Sequence, residues 1–274
     1  MKDNGAHNTT AQRFEAKYHL TEREAHQMSM HLEPFLIQDP HVKCYGDSYP
    51  INSLYLDNDA LSLYWSSMLG EKNRIKLRIR AYSADENEPV IFEIKRRINQ
   101  VILKDRAFMH RQVIRKMLDR QVVVEEDFAN KSARDKAAFY QFRDYLEQLD
   151  AKPKVMVWYM REPYISRLGD AVRITFDRKL SALEAPEYSN AIWQYDHRWR
   201  QLDAPVILEI KFSDNFPVWV QDFVRHFGLR QDNFAKYCYC MHSLKREGAM
   251  QQWGGIHDDD IMWTSRDHVI MAND

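Results

Sequence analysis

Residues 74 to 82 read RIKLRIRAY and alternate strictly between basic and aliphatic side chains before ending in Ala81 and Tyr82. The basic positions are Arg74, Lys76, Arg78 and Arg80. Successive side chains of a β-strand point to opposite faces of a sheet. The segment therefore predicts a strand with one cationic face and one aliphatic face. The aliphatic face needs a core to pack against, and the cationic face needs water or an anion.

Seven more segments are predicted to be strands from their alternation or from their β-branched and aromatic content. Together with the first, the predicted strands are 13–19, 50–56, 74–82, 89–97, 100–107, 154–161, 171–178 and 205–213. Several repeat the same division of faces. In VIFEIKRR, for example, Glu93, Lys95 and Arg97 lie opposite Phe92 and Ile94.

Helices are predicted between these strands. Thr21 and Glu24 form a capping-box pattern that opens a helix to about residue 33, and Asp57 or Asn58 caps a second helix that ends at Gly70. The remaining predicted helices are 109–120, 131–149, 217–227 and 232–246. Short strands with few βαβ units favour an α+β fold. We expect an eight-stranded antiparallel β-barrel, or tunnel, with surrounding helices.

The chain has 274 residues and a formal net charge of −1, so bulk charge does not favour general binding of polyanions. We expect a disordered lead-in over 1–12, one domain over 13–247 and a peripheral tail over 248–274. No apolar run is long enough to predict a membrane span. Cys44, Cys238 and Cys240 are too few for a disulfide framework, and structural thiols are favoured over metal ligands. A cytoplasmic location is the default.

The charged faces have two interpretations. A single alternating strand is most often the solvated face of an amphipathic sheet. Here the faces are rich in Arg and Lys with occasional carboxylates, and facing cations repel each other unless an anion lies among them. Arginine matches phosphate oxygens, and carboxylates suit hard divalent cations. The residues therefore predict a site for a phosphate chain with Mg²⁺ or Mn²⁺. Nucleic acid is disfavoured because aromatic residues do not interleave with the charges.

The order of short motifs resembles the VTC domain, the polyphosphate polymerase domain of the vacuolar transporter chaperone complex. This family lies in the triphosphate tunnel metalloenzyme, or CYTH-like, superfamily. The resemblance covers about residues 13 to 240. Its motifs are R-x-E-x-K-Y, Y-x-x-x-S-L-Y-x-D, R-x-K-x-R-x-R-x-Y, E-I-K, K-x-R, Y-x-R, R-I-T-F-D, L-E-I-K and a final K-Y.

The resemblance implies site residues at the matching positions. The catalytic candidates are Lys17, Arg78, Arg80, Arg161 and Arg173. The matched phosphate binders are Lys95, Lys104 and Lys236, and charged residues on the same faces add Arg13, Lys76, Arg106 and Lys211. Glu209 matches the metal-binding glutamate, and Glu15 and Glu93 are further metal candidates. The expected cofactor is Mn²⁺ or Mg²⁺.

The implied function is a metal-dependent polyphosphate polymerase that moves the terminal phosphate of a nucleoside triphosphate onto a polyphosphate chain. A tripolyphosphatase or nucleoside triphosphatase would use the same tunnel, and a non-catalytic polyphosphate-binding module is a third alternative. Arg13 stands where the wider superfamily has a glutamate, which favours the polymerase branch. The expected partners are nucleoside triphosphate and polyphosphate, without nucleic acid. A membrane partner is compatible with a chain that has no transmembrane segment of its own.

Overall fold

A computed structural model describes residues 13–246, apart from 43–45, 100, 186, 214–215 and 233. These residues form an α+β fold with one antiparallel sheet. Its strands are β1 (Arg13–Leu20), β2 (Leu36–Gln38), β3 (Tyr49–Asp57), β4 (Asn73–Ala81), β5 (Val90–Ile98), β6 (Val101–Met109), β7 (Lys152–Ser166), β8 (Arg173–Glu184), β9 (Arg200–Gln201) and β10 (Val206–Ser213). The helices are α1 (Glu22–Leu32), α2 (Ser62–Met68), α3 (Val113–Leu118), α4 (Ala133–Leu149), α5 (Val218–His226) and α6 (Lys236–Arg246).

All eight predicted strands and all six predicted helices are confirmed, with bounds that differ by a few residues. Strands β2 and β9 were not predicted. They have three and two residues, which is too short for alternation to be visible. The predicted lead-in, the tail and Cys44 lie outside the described residues, so the proposed division into segments stays a prediction.

The prediction of a closed barrel is wrong. The strand order is β1-β10-β8-β7-β3-β4-β5-β6, and no pairing between β1 and β6 closes it in the described part of the chain. The backbone of Phe108, near the end of β6, bonds elsewhere. Its N–H donates to Asp135 Oδ2 at 2.8 Å, and its carbonyl accepts from Ala129 N at 3.0 Å. The segment before α4 and the first turn of this helix therefore occupy the edge of β6 at Phe108.

The open sheet is nevertheless strongly curved. The ammonium of Lys95 on β5 lies 3.7 Å from a carboxylate oxygen of Glu15 on β1, although several strands separate the two in the sheet order. Side chains from distant strands thus meet above one surface, which we call the inner face. The opposite, outer face packs its aliphatic residues against helices. Phe92 of β5, for example, contacts Phe139 and Phe142 of α4 edge-to-face.

One part of the inner face is apolar and covered by helix α6. Tyr237 of α6 stacks on Tyr55 of β3 at a centroid distance of 5.0 Å. Ile51 and Val157 belong to the same buried cluster. Because α6 occupies this part, the charged part of the inner face is bounded on that side by protein.

Asp57 ties α6 to α2 and β3. Its carboxylate accepts hydrogen bonds from the N–H groups of Leu63 and Tyr64 in the first turn of α2, at 3.0 and 2.8 Å. It also accepts from the Tyr237 hydroxyl at 2.8 Å. Asn58 accepts from Ser62 N at 2.9 Å, so both predicted capping residues cap this helix.

Replacement of Asp57 with alanine is expected to lower the free energy of unfolding by about 2–4 kcal/mol. The change removes a helix cap and leaves the buried hydroxyl of Tyr237 without its hydrogen-bond acceptor. Urea denaturation measures the loss. Asn58→Ala, which removes an exposed cap from the same helix, should cost about 1 kcal/mol. Equal losses for both variants would contradict the tie to α6.

Candidate active site

The inner face brings together the charged residues predicted from the sequence. Its charged strand residues include Glu15, Lys17, Arg74, Lys76, Arg78, Arg80, Glu93, Lys95, Arg97, Lys104, Arg106, Arg161, Arg173, Asp177, Glu209 and Lys211. Lys236 joins them from the first turn of α6. Arg13 pairs with Ser213 at the start of β1, but its side chain lies outside the described part of the structure.

Glu15 of β1 and Glu209 of β10 form a carboxylate pair. The register sets Lys17 opposite Glu209 and Glu15 opposite Lys211. The Lys17 ammonium is 3.2 Å from Glu15 and 3.7 Å from Glu209, while Lys211 is 2.5 Å from Glu209. Burial alone would raise the pKa of Glu209, but Lys211 and Lys17 hold it well below its ordinary value. Burial would also raise the pKa of Glu15, but Lys95 and Lys17 leave it lowered, so both carboxylates are anionic at neutral pH.

Asp177 forms a second cluster next to the first. Arg161 donates to its two carboxylate oxygens, from Nε and from a terminal nitrogen, at 2.7 Å each. The same terminal nitrogen lies 3.5 Å from Glu209. Lys236 contacts Asp177 at 2.7 Å, and both cations lie against the ring of Tyr159, at 5.5 Å for Arg161 and 4.7 Å for Lys236. Asp177 thus fixes the positions of two predicted site residues.

Glu93 forms a third cluster with arginines. Its carboxylate contacts Arg78 and accepts from Arg106 Nε at 2.7 Å. Arg78 also donates to the Tyr55 hydroxyl at 3.1 Å. Burial alone would raise the pKa of Glu93, but Arg78 and the neighbouring arginines hold it far below its ordinary value. Glu93 therefore serves as a counter-charge, and its contacts are with arginines rather than with the Glu15–Glu209 pair.

Arg80 and Arg173 differ in their surroundings. Arg80 is buried, and its recorded partners are Ser53, with Nε 3.4 Å from Oγ, and the Tyr82 hydroxyl. Arg173 is 43% exposed and donates to Asp39 at 2.5 Å. Arg80 is thus an interior guanidinium whose hydrogen-bond partners are neutral, whereas Arg173 lies at a more open edge of the inner face.

Three lysines form a row across β4, β5 and β6. Lys76 lies opposite Lys95, and Lys95 lies opposite Lys104. Burial lowers the pKa of Lys104 to about 8, with Lys211 acting in the same direction. Burial also lowers the pKa of Lys76, and it lowers that of Lys95 well below its ordinary value despite the nearby Glu15. The row holds several amines close together with little negative charge, which an anion would stabilise.

The lysine row predicts proton uptake when a polyanion binds. At pH 8 Lys104 is about half protonated, and a bound phosphate chain favours the charged form. At this pH, binding should therefore take up more protons, net of those that tripolyphosphate itself loses, in the wild-type protein than in Lys104→Met. As pH rises from 7 to 9, the wild-type protein should lose affinity relative to that variant. Calorimetry of tripolyphosphate binding in buffers of different ionisation enthalpy measures the uptake. Equal proton exchange by the wild-type protein and Lys104→Met would contradict the assignment.

The Glu15–Glu209 pair is the arrangement that best fits a divalent cation. Within the described residues, no three His, Cys, Asp or Glu side chains come together as a metal-binding group. Magnesium is commonly held by one or two carboxylates together with substrate phosphates. Two adjacent anionic carboxylates beside a basic surface fit that requirement, with phosphate oxygens completing the coordination.

Other predicted features have ordinary structural roles. Cys238 and Cys240 are free thiols buried in the cluster around α6, and burial raises the pKa of both. This agrees with the interpretation of structural cysteines. Among the helices that the structure describes, none has both the length and the apolar character that crossing a bilayer requires.

Sequence reasoning did not name Asp177 or Tyr159 as members of the site. Both occur inside quoted motifs, R-I-T-F-D and Y-x-R, and Asp177 alternates with Arg173 on the same strand face. That alternation was the available signal. It places the carboxylate on the inner face but does not reveal that Arg161 and Lys236 share it.

Comparisons with known proteins agree with the motif order. The model of the VTC domain family matches residues 12–245. Vacuolar transporter chaperone complex subunit 4 of Schizosaccharomyces pombe is 24% identical over 269 residues, an alignment that includes 83% of this chain. The chain spans 36% of that relative's length.

Solved structures give looser matches. A candidate adenylate cyclase from Bacillus halodurans has a TM-score of 0.46 at 16% identity, covering 82% of this chain and 94% of that one. An adenylyl cyclase candidate from Hippeastrum, described as having a dominant triphosphatase activity, has a TM-score of 0.41 at 16% identity, covering 88% and 98%. The family match covers most of the sequence and confirms the predicted resemblance. The chain therefore belongs to the VTC domain family.

Proposed function

We propose that this domain is a metal-dependent polyphosphate polymerase that transfers the terminal phosphate of a nucleoside triphosphate to a growing polyphosphate chain. The observation that supports this most strongly is the inner face itself. Its cations outnumber its carboxylates, most of these cations are partly or fully buried, and they come from strands that are far apart in the sequence. Removing more cations than carboxylates from water is unfavourable, so such a surface is stabilised by a ligand with many negative charges.

The arginines would position the reacting phosphates. Transfer of a phosphoryl group depends mainly on alignment and on stabilising charge on the phosphate oxygens. Arg80, with neutral partners, and Arg161, already oriented by Asp177, would hold the triphosphate, and Arg78 and Arg173 would complete the clamp. A terminal oxygen of the growing chain would attack the γ-phosphorus as the bond to the nucleoside diphosphate breaks. The lysine row and Lys236 would bind the remaining phosphates.

Glu15 and Glu209 would hold the metal together with phosphate oxygens. A Mg²⁺ or Mn²⁺ ion there would neutralise charge on the phosphate oxygens and polarise them. Glu93 is not included in this proposal, since its recorded ion pairs are with Arg78 and Arg106.

The state of the carboxylates favours transfer to a phosphate chain over hydrolysis. Among the described residues of the inner face, Glu15, Glu93, Asp177 and Glu209 each contact a cation. Burial raises each pKa, but neighbouring cations outweigh it and leave each one lowered. A carboxylate with a lowered pKa is a weak general base for activating water. A phosphate-chain acceptor is already anionic and needs no such base.

The test is to incubate the purified protein with ATP and Mn²⁺ or Mg²⁺, with and without a short polyphosphate primer. Products are resolved by ³¹P NMR and on a gel. Growth of the internal-phosphate signal with release of ADP is the expected result. Orthophosphate alone would instead identify a hydrolase, and tight binding of polyphosphate without turnover would identify a binding module.

A further inference from the structure

Thr175 presents a buried hydroxyl that has no partner. It lies on β8 between Arg173 and Asp177, and its residue is 2% exposed. Within the described part of the chain, no hydrogen-bond partner lies within reach of its Oγ1. A buried polar group left without a hydrogen bond is destabilising. A hydroxyl in this state is therefore available to a ligand that the protein alone does not supply.

The register directs this hydroxyl to the carboxylate pair. Alternation along β8 puts Thr175 on the same face as Arg173 and Asp177. Thr175 pairs directly with Glu209 of β10, which pairs in turn with Lys17 of β1. Directly opposed side chains of antiparallel strands have Cβ atoms about 4.5–5.5 Å apart, within reach of one shared ion. The hydroxyl oxygen and the Glu209 carboxylate thus line the same small volume.

The charge around Thr175 selects the kind of ligand. A phosphate oxygen against the hydroxyl would lie beside the anionic Glu209 and be repelled by it. A cation would be attracted to this position. The Glu209 carboxylate already contacts two ammonium groups, with Lys211 2.5 Å and Lys17 3.7 Å from its two oxygens. A hydroxyl oxygen is also a hard donor of the type that Mg²⁺ and Mn²⁺ accept, as in nucleotide-binding sites where a Ser or Thr holds the metal.

We propose that the Thr175 hydroxyl is a third protein ligand of the divalent cation, together with Glu209 and Glu15. It would supply a neutral oxygen from β8, so that the ion is held between β1, β10 and β8. The ion would displace Lys17 and Lys211 from Glu209 and free them for phosphate. The inference rests on the metal site of the proposed function and assigns it a residue beyond the acidic ones.

Two substitutions test it. Thr175→Val keeps the shape and removes the oxygen, whereas Thr175→Ser keeps the oxygen. Mn²⁺ is titrated without nucleotide, and free Mn²⁺ is followed by electron paramagnetic resonance. Loss of an outer partner of a ligand typically weakens metal binding by 10- to 100-fold, so loss of a direct ligand should raise the Kd for Mn²⁺ by about that factor or more. Thr175→Ser should bind within about threefold of the wild-type protein.

Two further readouts separate a ligand from a structural residue. In EDTA the urea midpoint of Thr175→Val should equal or exceed that of the wild-type protein, because the variant removes an unpaired buried hydroxyl. Binding of tripolyphosphate in EDTA should stay within twofold. Ser181 is a matched control on the same strand, since its buried hydroxyl donates to Lys179 O at 3.1 Å. Ser181→Ala should lower the urea midpoint and leave Mn²⁺ binding unchanged.

Wild-type Mn²⁺ affinity in Thr175→Val would overturn the inference. So would a loss of tripolyphosphate binding in EDTA, which would assign the hydroxyl to phosphate. A wild-type protein that binds tripolyphosphate but not Mn²⁺ would overturn the metal ligand and leave the phosphate site standing. A protein that binds neither would overturn both this inference and the proposed function.

Discussion

Replacement of Arg80 with alanine is expected to lower turnover about a thousandfold, the low end of what a transition-state arginine contributes in phosphoryl transfer. Arg80 is buried on the inner face, and its hydrogen-bond partners, Ser53 and Tyr82, are neutral. Its guanidinium is therefore available to phosphate oxygens without first leaving a carboxylate. Release of ADP and growth of polyphosphate, measured at saturating ATP and metal, give the change in kcat.

The same variant should keep its fold. Arg161→Ala leaves the Asp177 carboxylate without the guanidinium that binds both of its oxygens. Arg80→Ala breaks no direct ion pair with a carboxylate. Arg80→Ala should therefore lower stability in urea less than Arg161→Ala does. Arg80→Lys keeps the charge without the planar fork and should recover part of the rate. Arg96, which pairs with Asp105 on the outer face at 2.5 Å, provides the control. A normal rate for Arg80→Ala, or an equal loss for Arg96→Ala, would contradict the assignment.

The division of each strand into two faces could be predicted because it depends on a local period of two. The same RIKLRIRAY segment that alternates in the sequence presents Leu77 and Ile79 to the buried core and Arg78 and Arg80 to the inner face. The pairing of β5 with β6 was also accessible, since a turn at Asn99 joins them directly. These features depend only on local geometry, so the local sequence is enough to predict them.

Features that depend on pairings between residues distant in the sequence could not be predicted from the sequence. Strands β1 and β10 lie at opposite ends of the described chain, and their register decides that Lys17 faces Glu209. The sheet stays open at β6, where the backbone of Phe108 bonds to Asp135 and Ala129. A carboxylate on a basic strand also has the same sequence pattern whether it binds metal or neutralises arginine. Glu93 and Glu209 are distinguished by their contacts in space.

Replacement of Glu209 with glutamine is expected to abolish measurable metal binding and to lower turnover by at least about a hundredfold, because the pair with Glu15 loses its central charge. Lys17 and Lys211 would also lose an anionic partner. Tripolyphosphate in EDTA should consequently bind the variant more tightly than the wild-type protein, since a repelling carboxylate has gone and two cations are released. Calorimetry with Mn²⁺ and with tripolyphosphate measures the two opposite changes.

Glu93→Gln is the matched comparison because Glu93 also lies on the inner face and was predicted from the sequence as a metal ligand. Its carboxylate contacts Arg78 and Arg106, so the variant should be less stable and should hold these two arginines less firmly. It should still bind Mn²⁺ with wild-type affinity. Equal loss of Mn²⁺ affinity in both variants would show that the ion lies between the two carboxylates. Unchanged Mn²⁺ affinity in Glu209→Gln would remove this residue from the metal site.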